Sequence, residues 1–155
     1  MRRPGGLSPL RWCRLRHMPD PQHVAREILD RLQNAFASKD PVAVAELFDD
    51  HIVVFGTAAE NLDRAQSDEY VARVFSQPGT VRWGWDQVVP VLSEPDVIVF
   101  AVVGTVGFDD AHGQPDGERD AFRLTCVAVA RHGSWRLRHF LGSIPGRSPT
   151  AQSAR

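Results

Sequence analysis

Two residues of this chain have types suited to proton transfer, His139 and Asp86, a third, Arg123, is suited to pairing with an anion beside them, and three more, Trp83, Trp85 and Thr125, have types suited to holding a ligand. An imidazole titrates near neutrality and can take up and return a proton when a carboxylate or substrate lies in reach. Strict alternation along the last apolar run puts Trp135, Leu137, His139 and Leu141 on one face, and Arg136, Arg138 and Phe140 on the other. Two arginines belong in water, so His139 is expected to point inward. The plainer alternative is a histidine that holds a backbone carbonyl. In the preceding run, Phe122, Leu124, Cys126 and Ala128 form one face and Arg123, Thr125, Val127 and Val129 the other, both mostly apolar. If Arg123 points inward it needs an anion or a carboxylate such as Asp86, because an unpaired buried charge is costly; on the outside it needs nothing. Trp83 and Trp85 can stack on a flat ligand or simply fill core.

Other chemistry finds no support. The six histidines (17, 23, 51, 112, 132, 139) form no i,i+4 pair and no His-carboxylate motif, so no metal is expected. There is no Gly-x-Ser-x-Gly, phosphate-binding loop or dinucleotide fingerprint, and no cofactor is expected. Asp49-Asp50 and Asp109-Asp110 fall between periodic segments, where solvated acids are the default.

With 155 residues, 43% hydrophobic and 24% charged, the chain reads as one soluble globular domain. Residues 1–17 carry five arginines and no acid. That leaves 13 basic against 19 acidic residues downstream, a net of −6. An acidic body disfavours nucleic acid, and no apolar run is long enough to cross a membrane. Two cysteines, 13 and 126, suggest no disulfide framework, and a cytoplasmic setting fits. The organised sequence begins after Met18. Residues 1–19 are therefore expected to be a basic, disordered extension, 20–145 the domain, and 146–155 a disordered tail.

The positioning elements follow from caps and periodicity. Asp20-Pro21 starts a helix with Val24, Ile28, Leu29, Leu32 and Phe36 on one stripe, and Asp40-Pro41 starts a second, shorter one. His51 to Phe55 is a short β-branched strand. Ser67 is expected to cap a third helix with Tyr70, Val71, Val74 and Phe75 buried. Runs at 81–92, 97–108, 121–131 and 135–141 then read as consecutive strands, with a kink at Gly84 or Pro90, a polar loop over 109–120 and a tight turn at His132-Gly133. Helices first and a strand series after make an α+β domain with an antiparallel meander.

Ala37-Ser-Lys-Asp-Pro41, Ala45-Glu-Leu-Phe-Asp-Asp50, Val53-Val-Phe-Gly-Thr57, Arg123-Leu-Thr125, Gly133-Ser-Trp135 and Ser143-Ile-Pro145 together resemble the SnoaL-like branch of the nuclear transport factor 2-like (ketosteroid-isomerase-like, cystatin-like) superfamily over roughly residues 22–145. The resemblance implies a cone-shaped, curved antiparallel sheet wrapped around the N-terminal helices, with an internal pocket. The fold hosts many functions, so activity must be argued from the site. The ketosteroid isomerases' catalytic aspartate and tyrosine would fall on Phe55 and Leu32, which cannot do that chemistry. The subgroup's His-x-Ser in the last strand is replaced by Leu141-Gly142-Ser143, with His139 two residues earlier.

The resulting expectation is a binding protein for a small, partly apolar, anionic or carbonyl-bearing ligand, its pocket lined by Trp83, Trp85, Arg123, Thr125 and His139. The alternatives are an acid-base enzyme (isomerase, lyase or epoxide-hydrolase-like) using His139 with Asp86 and Arg123, or a dimeric scaffold. Two-sided apolar strands at 97–108 and 121–131 point to a homodimer through the convex sheet face.

Overall fold

The structure is a computed structural model and describes residues 19–146. The basic extension read over 1–19 and the tail over 146–155 lie, but for one residue each, outside the described residues. Three helices, α1 (Pro21–Ala37), α2 (Pro41–Leu47) and α3 (Arg64–Ser76), pack on one face of a six-stranded sheet. The strands are β1 (Phe48–Phe55), β2 (Glu60–Asn61), β3 (Thr80–Glu94), β4 (Val97–Asp109), β5 (Pro115–Arg131) and β6 (Ser134–Ser143). Their order is β2-β1-β6-β5-β4-β3, antiparallel throughout except for β1 beside β6. This is the expected α+β class, with a curved sheet that does not close.

Both Asp-Pro helix starts hold. The Asp20 carboxylate accepts from Gln22 N, and that of Asp40 from Val42 N and Ala43 N, so each satisfies amides that the first turn leaves unpaired. α3 begins earlier than expected. Asp63, not Ser67, is its cap and accepts from Gln66 N, while the buried Ser67 hydroxyl donates to the Asp63 carbonyl. At the other end of α1, Lys39 Nζ donates to the Gln77 and Pro78 carbonyls, joining it to the end of α3.

The sheet is longer than its apolar runs. β5 starts at Pro115, so half of the expected 109–120 loop pairs as exposed strand, Asp116 against Phe108 and Asp120 against Val106. The polar side chains there face water while the backbone still zips up; polarity alone concealed the strand. β3 departs from regular register at Asp86 and Val91, not at Gly84, and β6 at Arg138. His132 and Gly133 both take positive φ, 51° and 80°, which gives the two-residue turn the sense that matches strand twist.

The core lies between helices and sheet. Ile28, Leu29 and Leu32 of α1 meet Phe100, Leu124, Cys126 and Leu137, all nearly or fully inaccessible. Burial pushes the Cys126 thiol up, leaving it a small apolar core group. Two acids expected in water are instead buried. Asp49 accepts from Arg138 Nη1 at 2.7 Å and from His51 N at 3.0 Å, with Arg131 at 3.7 Å; Asp109 is bound by Arg82 Nε. Among the described residues no helix is long and apolar enough to cross a membrane.

Candidate functional site

A cavity of about 90 Å³ opens between the helices and the concave sheet face. Leu32 and Phe36 form its α1 wall, and Tyr70, Val71 and Val74 its α3 wall. Val81, Trp83, Val106, Phe122 and Phe140 form its floor, and Phe48, Val54, Gly56, Thr57, Phe108 and Gly142 close its ends.

Trp83 is the best-anchored aromatic of this site. Its ring meets Phe36 edge-on at 5.1 Å and Phe140 at 6.4 Å, and stacks on Trp85 at 5.6 Å and 16°. Its backbone is fixed by Gln33 of α1, whose Oε1 accepts from Trp83 N at 2.7 Å and whose Nε2 donates to the Val81 carbonyl. β3 is an edge strand with unpaired backbone groups on its outer side, and a side-chain amide from α1 occupies two of them. Trp85 shares the inner face but does not line the cavity; its indole nitrogen is buried without a hydrogen-bond partner among the described residues. At the cavity end a Cβ on Gly142 would lie 2.6 Å from Phe122 Cζ, so any larger residue there would push that ring aside.

Polar groups are few. Tyr70 is the one ionisable side chain among the lining residues, and its hydroxyl makes no hydrogen bond to any described residue. A Cβ at Gly56 would stand 3.0 Å from Tyr70 Oη, so glycine leaves that hydroxyl its room. Burial raises the Tyr70 pKa above its ordinary value, against an opposing pull from Arg73.

Of the six candidate site residues, Trp83, Trp85, Asp86, Arg123, Thr125 and His139, only Trp83 lines this cavity. Arg123 and Thr125 lie on the opposite, convex face, exposed, beside Val103 and Leu141. His139 is there too, and the cause is the bulge at Arg138. Ala128 pairs with Leu137 but Val127 pairs with His139, so one extra residue in β6 reverses the alternation. Leu137 stays inside, while His139 turns out, meets Phe55 edge-on at 5.6 Å and donates from Nδ1 to the Val53 carbonyl at 3.1 Å. Asp86 sits exposed on the β3 bulge, and neither it nor Arg123 makes an ion pair among the described residues. His139, Asp86 and Arg123 therefore do not converge at the cavity. Among the described residues no group of three His, Cys, Asp or Glu is placed to hold a metal ion.

The model of the SnoaL-like domain matches residues 25–146. The chain belongs to the SnoaL-like domain family. Among curated proteins no sequence matches it. Solved structures with a similar fold include a nuclear transport factor 2-like superfamily protein from Salmonella enterica (14% identity, TM-score 0.69, 86% of this chain and 96% of that one). A nuclear transport factor 2-like protein of unknown function from Pseudomonas putida matches at 16% identity and TM-score 0.68 over 83% and 89% of the two chains. An uncharacterised cystatin-like-fold protein from Caulobacter vibrioides matches at 16% and 0.66 over 87% and 96%. At such identities the likeness concerns the fold.

Within this SnoaL-like domain Leu32 lines the cavity and Phe55 does not. β1 presents Val54 inward, and Phe55 turns to the convex face with Val53. Gln33 lies off the apolar stripe of α1 and carries no signal of its role in the sequence, whereas Tyr70, read as core only, stands out as a tyrosine on an otherwise apolar helix stripe.

Proposed function

We propose that this SnoaL-like domain binds a small, largely apolar molecule in the cavity between its helices and concave sheet face. The observation that carries the reading is the composition of the walls: aromatic and aliphatic side chains on every side and two hydroxyls, of Tyr70 and Thr57, among the described lining residues. Ligand sites are typically apolar hollows with a few polar groups that fix orientation. Acid-base catalysis in this cavity would fall to Tyr70 alone, with no carboxylate or histidine among the lining residues to exchange its proton. Binding is therefore better supported than turnover.

The test is a fragment screen by ligand-observed NMR on wild type and on Val74→Trp, which puts an indole into the hollow from α3. Fragments that bind wild type should not bind the folded variant. Equal binding to both would remove the cavity as the site.

A second reading concerns the convex face, where Val89, Val103 and Leu141 are 54%, 53% and 38% exposed beside half-buried Val99, Ala101 and Val127. We propose that a second copy of the chain covers it, giving a homodimer. Sedimentation velocity at tens of micromolar should give a dimer that Val103→Arg converts to monomer; a monomeric wild type would refute it.

A further inference from the structure

Deepening the cavity reading, and resting on it, we propose that the ligand is an uncharged single-ring molecule carrying one hydrogen-bond acceptor oxygen, which the Tyr70 hydroxyl engages. Size sets the first limit. A dry apolar cavity of ~150 Å³ accommodates benzene, so a hollow of about 90 Å³ has room for one ring at most before its walls must move. The walls favour a flat ring, since Trp83 is held in place by Phe36 and Phe140.

Charge sets the second limit. No Arg, Lys, His, Asp or Glu is among the lining residues, so neither an anion nor a cation would find a counter-charge to offset its desolvation. The outer groove that shares Tyr70, Val74, Val81 and Phe108 with the cavity carries Asp109, Asp110 and Asp116. Arg82 neutralises Asp109, but Asp110 and Asp116 make no ion pair among the described residues and would repel an anion at this approach. The sequence-based expectation of an anionic ligand rested on Arg123, which is on the other side of the sheet.

The Tyr70 hydroxyl sets the third. Its Oη makes no hydrogen bond to any described residue, and Gly56 leaves it space. Burial opposes its ionisation, so it is a donor at neutral pH, and a carbonyl or ether oxygen on the ring completes it.

Three shape-matched probes test this: acetophenone, ethylbenzene and benzoate, titrated into the full chain while tryptophan fluorescence is followed. Acetophenone should bind roughly 2- to 10-fold more tightly than ethylbenzene, the yield of one net hydrogen bond, and benzoate should give no saturable change. Tyr70→Phe should bring acetophenone down to the affinity of ethylbenzene and leave ethylbenzene unaffected. Gly56→Ala, which crowds the hydroxyl without removing it, should selectively weaken acetophenone as well. If ethylbenzene binds but neither variant changes its ratio to acetophenone, the acceptor assignment falls while the cavity reading stands. Binding of benzoate as tight as that of acetophenone would overturn the neutral-ligand claim. If neither neutral probe binds, the cavity reading fails and this proposal with it.

Discussion

On the concave face of the sheet Phe100, Leu124, Cys126 and Leu137 are sealed beneath α1 and α2, while their sequence neighbours on the convex face, Ala101, Val103, Thr125 and Val127, are half-buried or exposed. Both sets come from the same two-residue alternation in the same strands, and both are mainly apolar. Hydrophobicity therefore does not tell inside from outside in β4 and β5. The distinction comes from where the helices land and from bulges that reset the alternation.

The largest expected contrast is between two truncations on adjacent faces. Phe100→Ala should cost about 3–5 kcal/mol, as loss of a sealed aromatic does, and lower the melting temperature by roughly 6–20 °C for a domain of this size. Val103→Ala should change monomer stability by less than about 0.5 kcal/mol. A concentration-dependent loss for Val103→Ala would accord with the second copy proposed to cover the convex face, whereas a large loss independent of concentration would contradict the contrast between the two faces.

Asp49 of β1 adds a charged case. Burial acts to raise its pKa, but the hydrogen bonds from Arg138 and the His51 amide and the charges of Arg138 and Arg131 outweigh it, leaving the value below 3.8. A carboxyl with a depressed folded pKa stabilises the fold above its unfolded pKa and loses that contribution as pH falls through the folded one. Asp49→Asn should thus melt lower than wild type above the ordinary carboxylate value, with the gap closing as pH drops below it. A gap independent of pH would mean the pair contributes packing and not charge.

A smaller effect, about 1 kcal/mol, is expected for Gln33→Ala, which strips the edge strand of two hydrogen bonds to one side chain. Trp83 should gain mobility, read as reduced fluorescence anisotropy; unchanged anisotropy would show that the aromatic contacts alone fix the ring. Least of all should Arg123→Ala or His139→Ala disturb the cavity. Both variants should bind a cavity ligand within about twofold of wild type, since their side chains leave the sheet on its far side. Marked weakening in either would break the two-face division.

The fold was largely legible. Asp20-Pro21 and Asp40-Pro41 declare their helices through capping chemistry, and His132-Gly133 declares its hairpin. The family motifs supplied the cone that local patterns could not. The site was much less legible, for a specific reason. One unpaired residue, Arg138, reverses every position after it in β6, moving His139 and Leu141 outward and Phe140 and Gly142 inward. The extra residue has no signature in an apolar run, because its neighbours on either phase are equally acceptable. Asp49 and Asp109 were misread because their burial depends on Arg138 and Arg82, which only the folded sheet brings near.

The most direct test of the claim that the concave cavity holds the ligand is chemical-shift mapping of the ¹⁵N-labelled chain during an acetophenone titration. The perturbed signals are expected to gather at the Gly56, Tyr70 and Gly142 amides and the Trp83 indole. Perturbations centred on Arg123, Thr125, Val127 and His139, with Gly142 and Trp83 silent, would place the binding site on the convex face and contradict it.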